Sequence, residues 1–233
     1  MQNQHEGTNA GESGPERRVW IPVDGGELGG ALALPAGATR VVLFAHGAGS
    51  SRFSPRNRLV ASAIQEAGIG TLLFDLLMES EAENRANVFD IGLLASRLIQ
   101  TTSWLLESPR TGALHVGYFG ASTGAAAALV AAARLPDTIE AVVSRGGRPD
   151  LAGRALEQVR APTLLIVGGA DEPVIEMNRE ALEVLTVEKE MVIVPGATHL
   201  FEEPGALEQV ATLATDWFQR FLGRGMVEER KAA

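Results

Sequence analysis

HVGYFGASTGAAAALVAAARL, residues His115 to Leu135, carries three structural statements in one run. Its first five residues are largely apolar without alternation, the pattern of a strand covered on both faces. Gly120-Ala121-Ser122-Thr123-Gly124 follows, with a glycine two residues before and two after a serine. Such spacing suits a strained turn that lets neighbouring backbone pass close to the serine. Ala125 to Leu135 then reads as an Ala-rich helix. A strand, a sharp turn and a helix in that order lift the Ser122 hydroxyl to the carboxyl edge of a sheet. There the unpaired N–H groups of a helix N-terminus favour developing negative charge.

The flanking sequence repeats the same grammar. Arg17 to Asp24 and Glu27 to Leu34 are two strand patterns joined across Gly25-Gly26, a hairpin signal. Short apolar runs follow at Val41–Ala45, Thr71–Phe74, Ala141–Val143, Thr163–Val167 and Met191–Val194, separated by helical spacing at Leu59–Ala67, Ile91–Leu106, Arg179–Leu185 and Leu207–Phe221. Strands alternating with helices predict an α/β fold with a mostly parallel sheet, an antiparallel N-terminal hairpin and helices on both faces. A single domain over 16–223 is expected, between a flexible N-terminal tail at 1–15 and a C-terminal tail at 224–233.

Composition narrows the function. Hydrophobic residues make up 45% of 233 residues, enough for a sizeable core. A net charge of −9 repels a phosphate backbone, so nucleic acid is not an expected partner. The absence of cysteine removes disulfides, thiolate ligands and a cysteine nucleophile. The polar first fifteen residues lack a signal-like apolar stretch, and no run of about 18 apolar residues occurs. A soluble, cytoplasmic monomer or homodimer with no membrane partner is the expectation. Scattered histidines and the absence of a phosphate loop or dinucleotide fingerprint predict no metal and no cofactor.

A serine needs a base to take its proton. Of the four histidines, His5 lies in the tail, His115 opens an inner strand and His46 follows another strand in His46-Gly47-Ala48-Gly49. His199 stands in the loop Pro195 to His199, after the last strand and before the final helix, where the order serine, acid, histidine wants its base. Asp171, after the strand Thr163–Val167, is the acid of choice, with Glu172 second. An oxyanion hole would take backbone N–H groups from Thr123 and from Ala48, with Gly49 as the alternative. Arg52, Arg56 and Arg58 are candidates for reading an anionic substrate group or for pairing with acids such as Asp75, Glu79 or Glu81; Arg145 and Arg148 share that ambiguity. Leu200 and Phe201 are candidates for an acyl pocket or for a core role.

HGAG at His46, GASTG at Ser122, GGADEP around Asp171 and GATHLF around His199 together resemble the α/β-hydrolase superfamily, and within it the dienelactone-hydrolase-like group, over nearly all of Arg17 to Leu222. SSRFSPRNR from Ser50, LLFDLL from Leu72 and SRGGRPDLAG from Ser144 are similar to bacterial proteins described generically as hydrolases, some beside or fused to a phosphoribosyltransferase-like domain. The resemblance implies an eight-stranded α/β-hydrolase fold, the roles of Ser122, Asp171 and His199, and ester substrates. One departure matters: dienelactone hydrolases proper use a cysteine where this chain has Ser122, which favours a carboxylesterase over a dienelactone hydrolase. The connection Ser144 to Pro162 is too short for a large cap, so an open, shallow site for small soluble esters is expected. Alternatives on the same residues are a thioesterase, perhydrolase or acyltransferase, and a non-catalytic small-molecule-binding member of the fold.

Overall fold

A computed structural model describes residues 16–224; the expected tails lie outside the described residues, apart from Arg224. The hairpin β1 (Arg17–Val23) and β2 (Gly26–Ala33) opens the chain, and β3 (Arg40–Ala45), α1 (Pro55–Glu66), β4 (Gly70–Phe74), α2 (Glu79–Ala82), α3 (Arg85–Val88) and α4 (Ile91–Glu107) follow. After them come β5 (His115–Ala121), α5 (Thr123–Arg134), β6 (Ile139–Arg145), a 3-10 segment (Pro149–Gln158), β7 (Thr163–Gly168), α6 (Glu172–Val184), β8 (Lys189–Val194) and α7 (Ala206–Phe221). The eight strands form one sheet in the order β1-β2-β4-β3-β5-β6-β7-β8. β2 pairs antiparallel with both β1 and β4, and the other pairings are parallel. Among the described residues no helix is long and apolar enough to cross a membrane.

The period of two along a strand divides the core. On β3, Val41, Leu43 and Ala45 join the cluster under α4 and α5, while Val42 and Phe44 join the cluster under α1 and α7. Both faces are apolar because both are covered, which is why the inner strands lack alternation. α5 is buried on every side, from Thr123 to Ala133; small side chains there let the helix lie close against its neighbours. α7 instead buries one stripe, with Val210, Ala214, Trp217 and Phe221 on it. The edge strand β8 is exposed at Lys189 and Glu190, charges that discourage pairing with another chain.

Two expectations need correction. The hairpin turns on Asp24-Gly25, with Gly25 at φ +90°, while Gly26 pairs with Val23. α6 begins at Glu172, seven residues ahead of the stretch whose spacing suggested it, because Pro173 favours a first turn that polar periodicity does not reveal.

Candidate active site

Ser122 and Asp171 occupy the same kind of position, the residue that opens a helix, and neither caps it. Ser or Asp there ordinarily accepts a hydrogen bond from the helix's free N–H groups, worth about 1 kcal/mol. Ser122, at the start of α5, makes no such bond and is held at φ 52°, ψ −123°. A non-glycine residue in that region stores roughly 1 to 3 kcal/mol of strain. The strain is imposed by packing at both flanks. A Cβ on Gly120 would overlap Ala125, and one on Gly124 would overlap the carbonyl oxygens of Ala45 and His46. Hydrogen bonds fix the serine's backbone: its N–H donates to Arg145 O (3.3 Å) and its carbonyl accepts from Arg148 N–H (3.1 Å).

Asp171, at the start of α6, likewise leaves its helix uncapped. Its Oδ2 instead accepts from His199 Nδ1 at 2.7 Å. The two loops are stitched together by backbone: Gly169 N–H donates to Val194 O (2.8 Å) and Ala170 N–H to Ala197 O (2.9 Å). The Gly146-Gly147 turn after β6 joins this pair to the serine, since a Cβ on Gly146 would stand 3.6 Å from His199 Nδ1 while Arg145, its neighbour, holds the Ser122 N–H. Among the described residues the Ser122 hydroxyl has no hydrogen-bonded partner; in ligand-free enzymes such bonds often tighten only around substrate.

Thr123 and Ala48 meet in an unexpected way. Ala48 N–H donates to Thr123 Oγ1 at 3.0 Å, so the backbone donor proposed from sequence is already engaged by the neighbouring hydroxyl. The loop bearing Ala48 lies against the serine, because a Cβ on Gly47 would come 2.9 Å from Ser122 Cβ. His46 holds this loop in place. Its Nε2 accepts from Leu76 N–H (3.1 Å), which leaves Nδ1 as the donor to Gly47 O (3.0 Å). Burial pushes its pKa below the ordinary imidazole value of 6.5, partly offset by the bond to Gly47. The folded protein therefore refuses a proton that the unfolded chain accepts, and stability falls as the pH drops below about 6.5. Melting curves from pH 7 to pH 5 are expected to show a steeper fall in Tm for the wild type than for His46→Gln; parallel curves would contradict this role.

Beside the Gly47–Arg52 loop lies a cavity of about 590 Å³. Leu28, Leu76 and Leu94 form apolar wall, and Met78 and Val88 come from the connection between β4 and α4. Ser122, Asp171 and His199 are not among the residues that line the cavity; the Gly47–Arg52 loop, packed against Ser122 at Gly47, is what the cavity shares with the site. Arg52 stands on this wall, bound to Asp75 by an ion pair and by its own N–H at 2.9 Å, and stacked over Phe53 at 4.3 Å. Arg56 pairs with Glu202 and Arg58 with Glu16, neither of them on the cavity wall. Leu200 is exposed and Phe201 is fully buried at φ 56° in the α7-side core. Phe201 is therefore a packing residue and not a pocket wall. The turn from Thr198 O to Phe201 N–H (3.2 Å) folds its ring beneath the loop.

Of the two roles the sequence left open for the arginines, Arg52 takes the pairing with Asp75, whereas Arg145 takes neither. Arg145 is 5% exposed, with its Nη2 on Asn57 Oδ1 (3.3 Å) and no ion pair among the described residues. Burial first, then Arg56, pushes its pKa down to about 10. No local pattern marks a buried arginine, since burial is set by α1 and the His199 loop closing over it. Among the described residues no group of three His, Asp or Glu side chains is placed to hold a metal.

Comparison with known proteins places this geometry in a family. The model of the dienelactone hydrolase family matches residues 28–223. A dienelactone hydrolase from Anabaena variabilis, solved by crystallography, is 59% identical, covers 92% of this chain and 100% of its own, and superposes with a TM-score of 0.87. Est1E of Butyrivibrio proteoclasticus, at 16% identity over 87% of this chain and 98% of its own, shares the fold with a TM-score of 0.75. A Mycobacterium tuberculosis protein named as a phosphoribosyl transferase is 62% identical over 191 residues, which is 82% of this chain and 43% of that protein. The chain therefore spans less than half the length of that curated relative. With a matching family model over most of its length and a closely similar structure beside it, this chain belongs to the dienelactone hydrolase family of α/β-fold hydrolases.

Proposed function

We propose that the chain is a serine hydrolase that cleaves small, soluble carboxylic esters through an acyl-enzyme. The observation that carries this reading is the 2.7 Å bond from His199 Nδ1 to an Asp171 that leaves its own helix uncapped, joined through the Arg145–Gly146 turn to a serine held in a strained turn. In the first step Ser122 Oγ attacks the ester carbonyl carbon and passes its proton to His199 Nε2. Asp171 holds the ring in the tautomer that can receive that proton, and its carboxylate stabilises the imidazolium. The carbonyl oxygen gains the electron pair and is met by N–H donors at the start of α5. When the intermediate collapses, the alkoxide leaves with the proton from His199. Water then repeats the sequence on the acyl-enzyme.

We place the substrate's apolar portion in the cavity beside the Gly47–Arg52 loop, whose Gly47 packs against Ser122. Since the Arg52 guanidinium is already bound to Asp75, a neutral acyl group suits this wall. The phosphoribosyl transferase name belongs to a protein of which the match is only 43%, and the residues gathered here are those of acyl transfer. A fluorophosphonate probe added to the folded protein is expected to label Ser122 alone, giving a single mass increment located by peptide mapping. Folded protein that stays unlabelled would favour a non-catalytic, ligand-binding role and defeat the proposal.

A further inference from the structure

We propose that the side-chain hydroxyl of Thr123 is itself an oxyanion donor, working beside the Thr123 backbone N–H and polarised by the N–H of Ala48. This rests on the ester-hydrolase reading above and names a further catalytic group for it.

Hydrogen-bond accounting leads there. Thr123 is the first residue of α5, so its N–H is one of the four donors that a helix leaves without an internal partner. Its hydroxyl carries one proton and two lone pairs. One lone pair accepts from Ala48 N–H at 3.0 Å. The proton has no acceptor among the described residues. Threonines within helices commonly give that proton to the carbonyl four residues back, as Thr102 does to Leu98 O (2.8 Å) and Thr212 to Glu208 O (3.1 Å). At the first position of a helix the residue four back is Phe119, inside β5, so this outlet is closed. The residue is only 5% exposed, which leaves bulk water little access to that proton.

A nearly buried hydroxyl that accepts one hydrogen bond and has a proton to give, one residue from the nucleophile, is suited to an oxygen that gains charge. Accepting from Ala48 makes it a stronger donor, because hydrogen bonds in a chain polarise one another. The β-branched threonine also restricts χ1, which holds the oxygen in place without loss of entropy during reaction. During attack, the Ser122 Oγ–C bond forms as the carbonyl π pair moves to oxygen. That oxygen then accepts from Thr123 N–H and Thr123 Oγ1–H, and the Ser122 proton moves to His199. No proton leaves Thr123, and the pair returns to the carbonyl on collapse. Ala48 acts through Thr123, as a positioning residue.

The test compares wild type, Thr123→Ser and Thr123→Val on a p-nitrophenyl ester, with the affinity of an aryl trifluoromethyl ketone, which forms an oxyanion on serine, measured alongside. Val keeps the shape and removes the hydroxyl. It is expected to lower kcat about 10²-fold, in line with the loss of one such donor, with KM changed less than threefold and the ketone weakened by a similar factor. Ser is expected to stay within about fivefold of wild type on the same scale. A folded Val variant that labels with fluorophosphonate and keeps kcat within threefold overturns the assignment, as does a loss confined to KM. If Val does not fold, Thr123→Ala removes the same donor and the same two outcomes decide. Wild-type protein that fails to label overturns the ester-hydrolase reading as well, whereas a labelling wild type with an indifferent Val variant overturns only this inference.

Discussion

Ser122→Ala is expected to reduce turnover of a short-chain p-nitrophenyl ester by about 10⁶-fold in kcat, the loss seen when a serine nucleophile is removed from an enzyme that uses it as part of a unit. Nothing else on the loop can replace it: Thr123 Oγ1 already accepts from Ala48 N–H, and the sequence has no cysteine. The same position supplies a second readout that does not depend on substrate. Alanine inherits the φ of 52° and its strain, so Tm should change little. Glycine adopts that angle freely, and Ser122→Gly is expected to be inactive yet more stable by about 1 kcal/mol. A serine that serves catalysis at the expense of stability predicts this opposition. Retained hydrolysis in Ser122→Ala would remove the nucleophile from the mechanism, and a Tm that drops in Ser122→Gly would remove the strain assigned to its turn.

The largest expected loss of stability is at Gly124. A Cβ there would overlap the carbonyl oxygens of Ala45 and His46, which are backbone atoms held in β3 and its following loop and cannot swing aside. Gly124→Ala should therefore cost about 3 kcal/mol or more, through strain in a core with no room to relax. The measurement is the urea midpoint, followed by circular dichroism. Gly37→Ala is the control: its φ of +73° is unfavourable for alanine, but a Cβ there meets nothing within 4 Å, so a loss near 1 kcal/mol is expected. Equal midpoints for Gly124→Ala and wild type would show that the elbow is looser than its packing implies. The same close approach brings the Gly47–Ala48 loop within reach of Ser122 and Thr123, so stability and the proposed oxyanion geometry share one contact.

Local sequence was informative wherever one backbone event required particular residue types. The glycines around Ser122 reported a close passage of chain, and the unbroken apolar strands reported cover on both faces. Chain order then offered His199 and Asp171 as the residues to stand near the serine. The sequence said less where a residue's fate depended on what lands on it from elsewhere. Phe201 and Leu200 are adjacent and both apolar, yet one is buried and the other exposed, because the tight turn from Thr198 sends successive side chains to opposite sides. Arg52 and Arg56 look alike in sequence, but Arg52 is bound by Asp75 from the end of β4 and Arg56 by Glu202 beyond the His199 loop.

By itself the sequence determined the order of strands and helices, the strained turn at Ser122 and the residue types available for proton transfer, because those follow from periodicity and from the backbone freedom of glycine. Tertiary structure alone decided that Asp171 turns from its helix to His199, that residues 75–90 shelter a cavity, and that Ala48 donates to Thr123. Each of these is a contact between segments far apart in the chain, 28 residues for the first and 75 for the last. Hydrogen bonds of that range are selected by the packing of the whole sheet, and no local pattern encodes them.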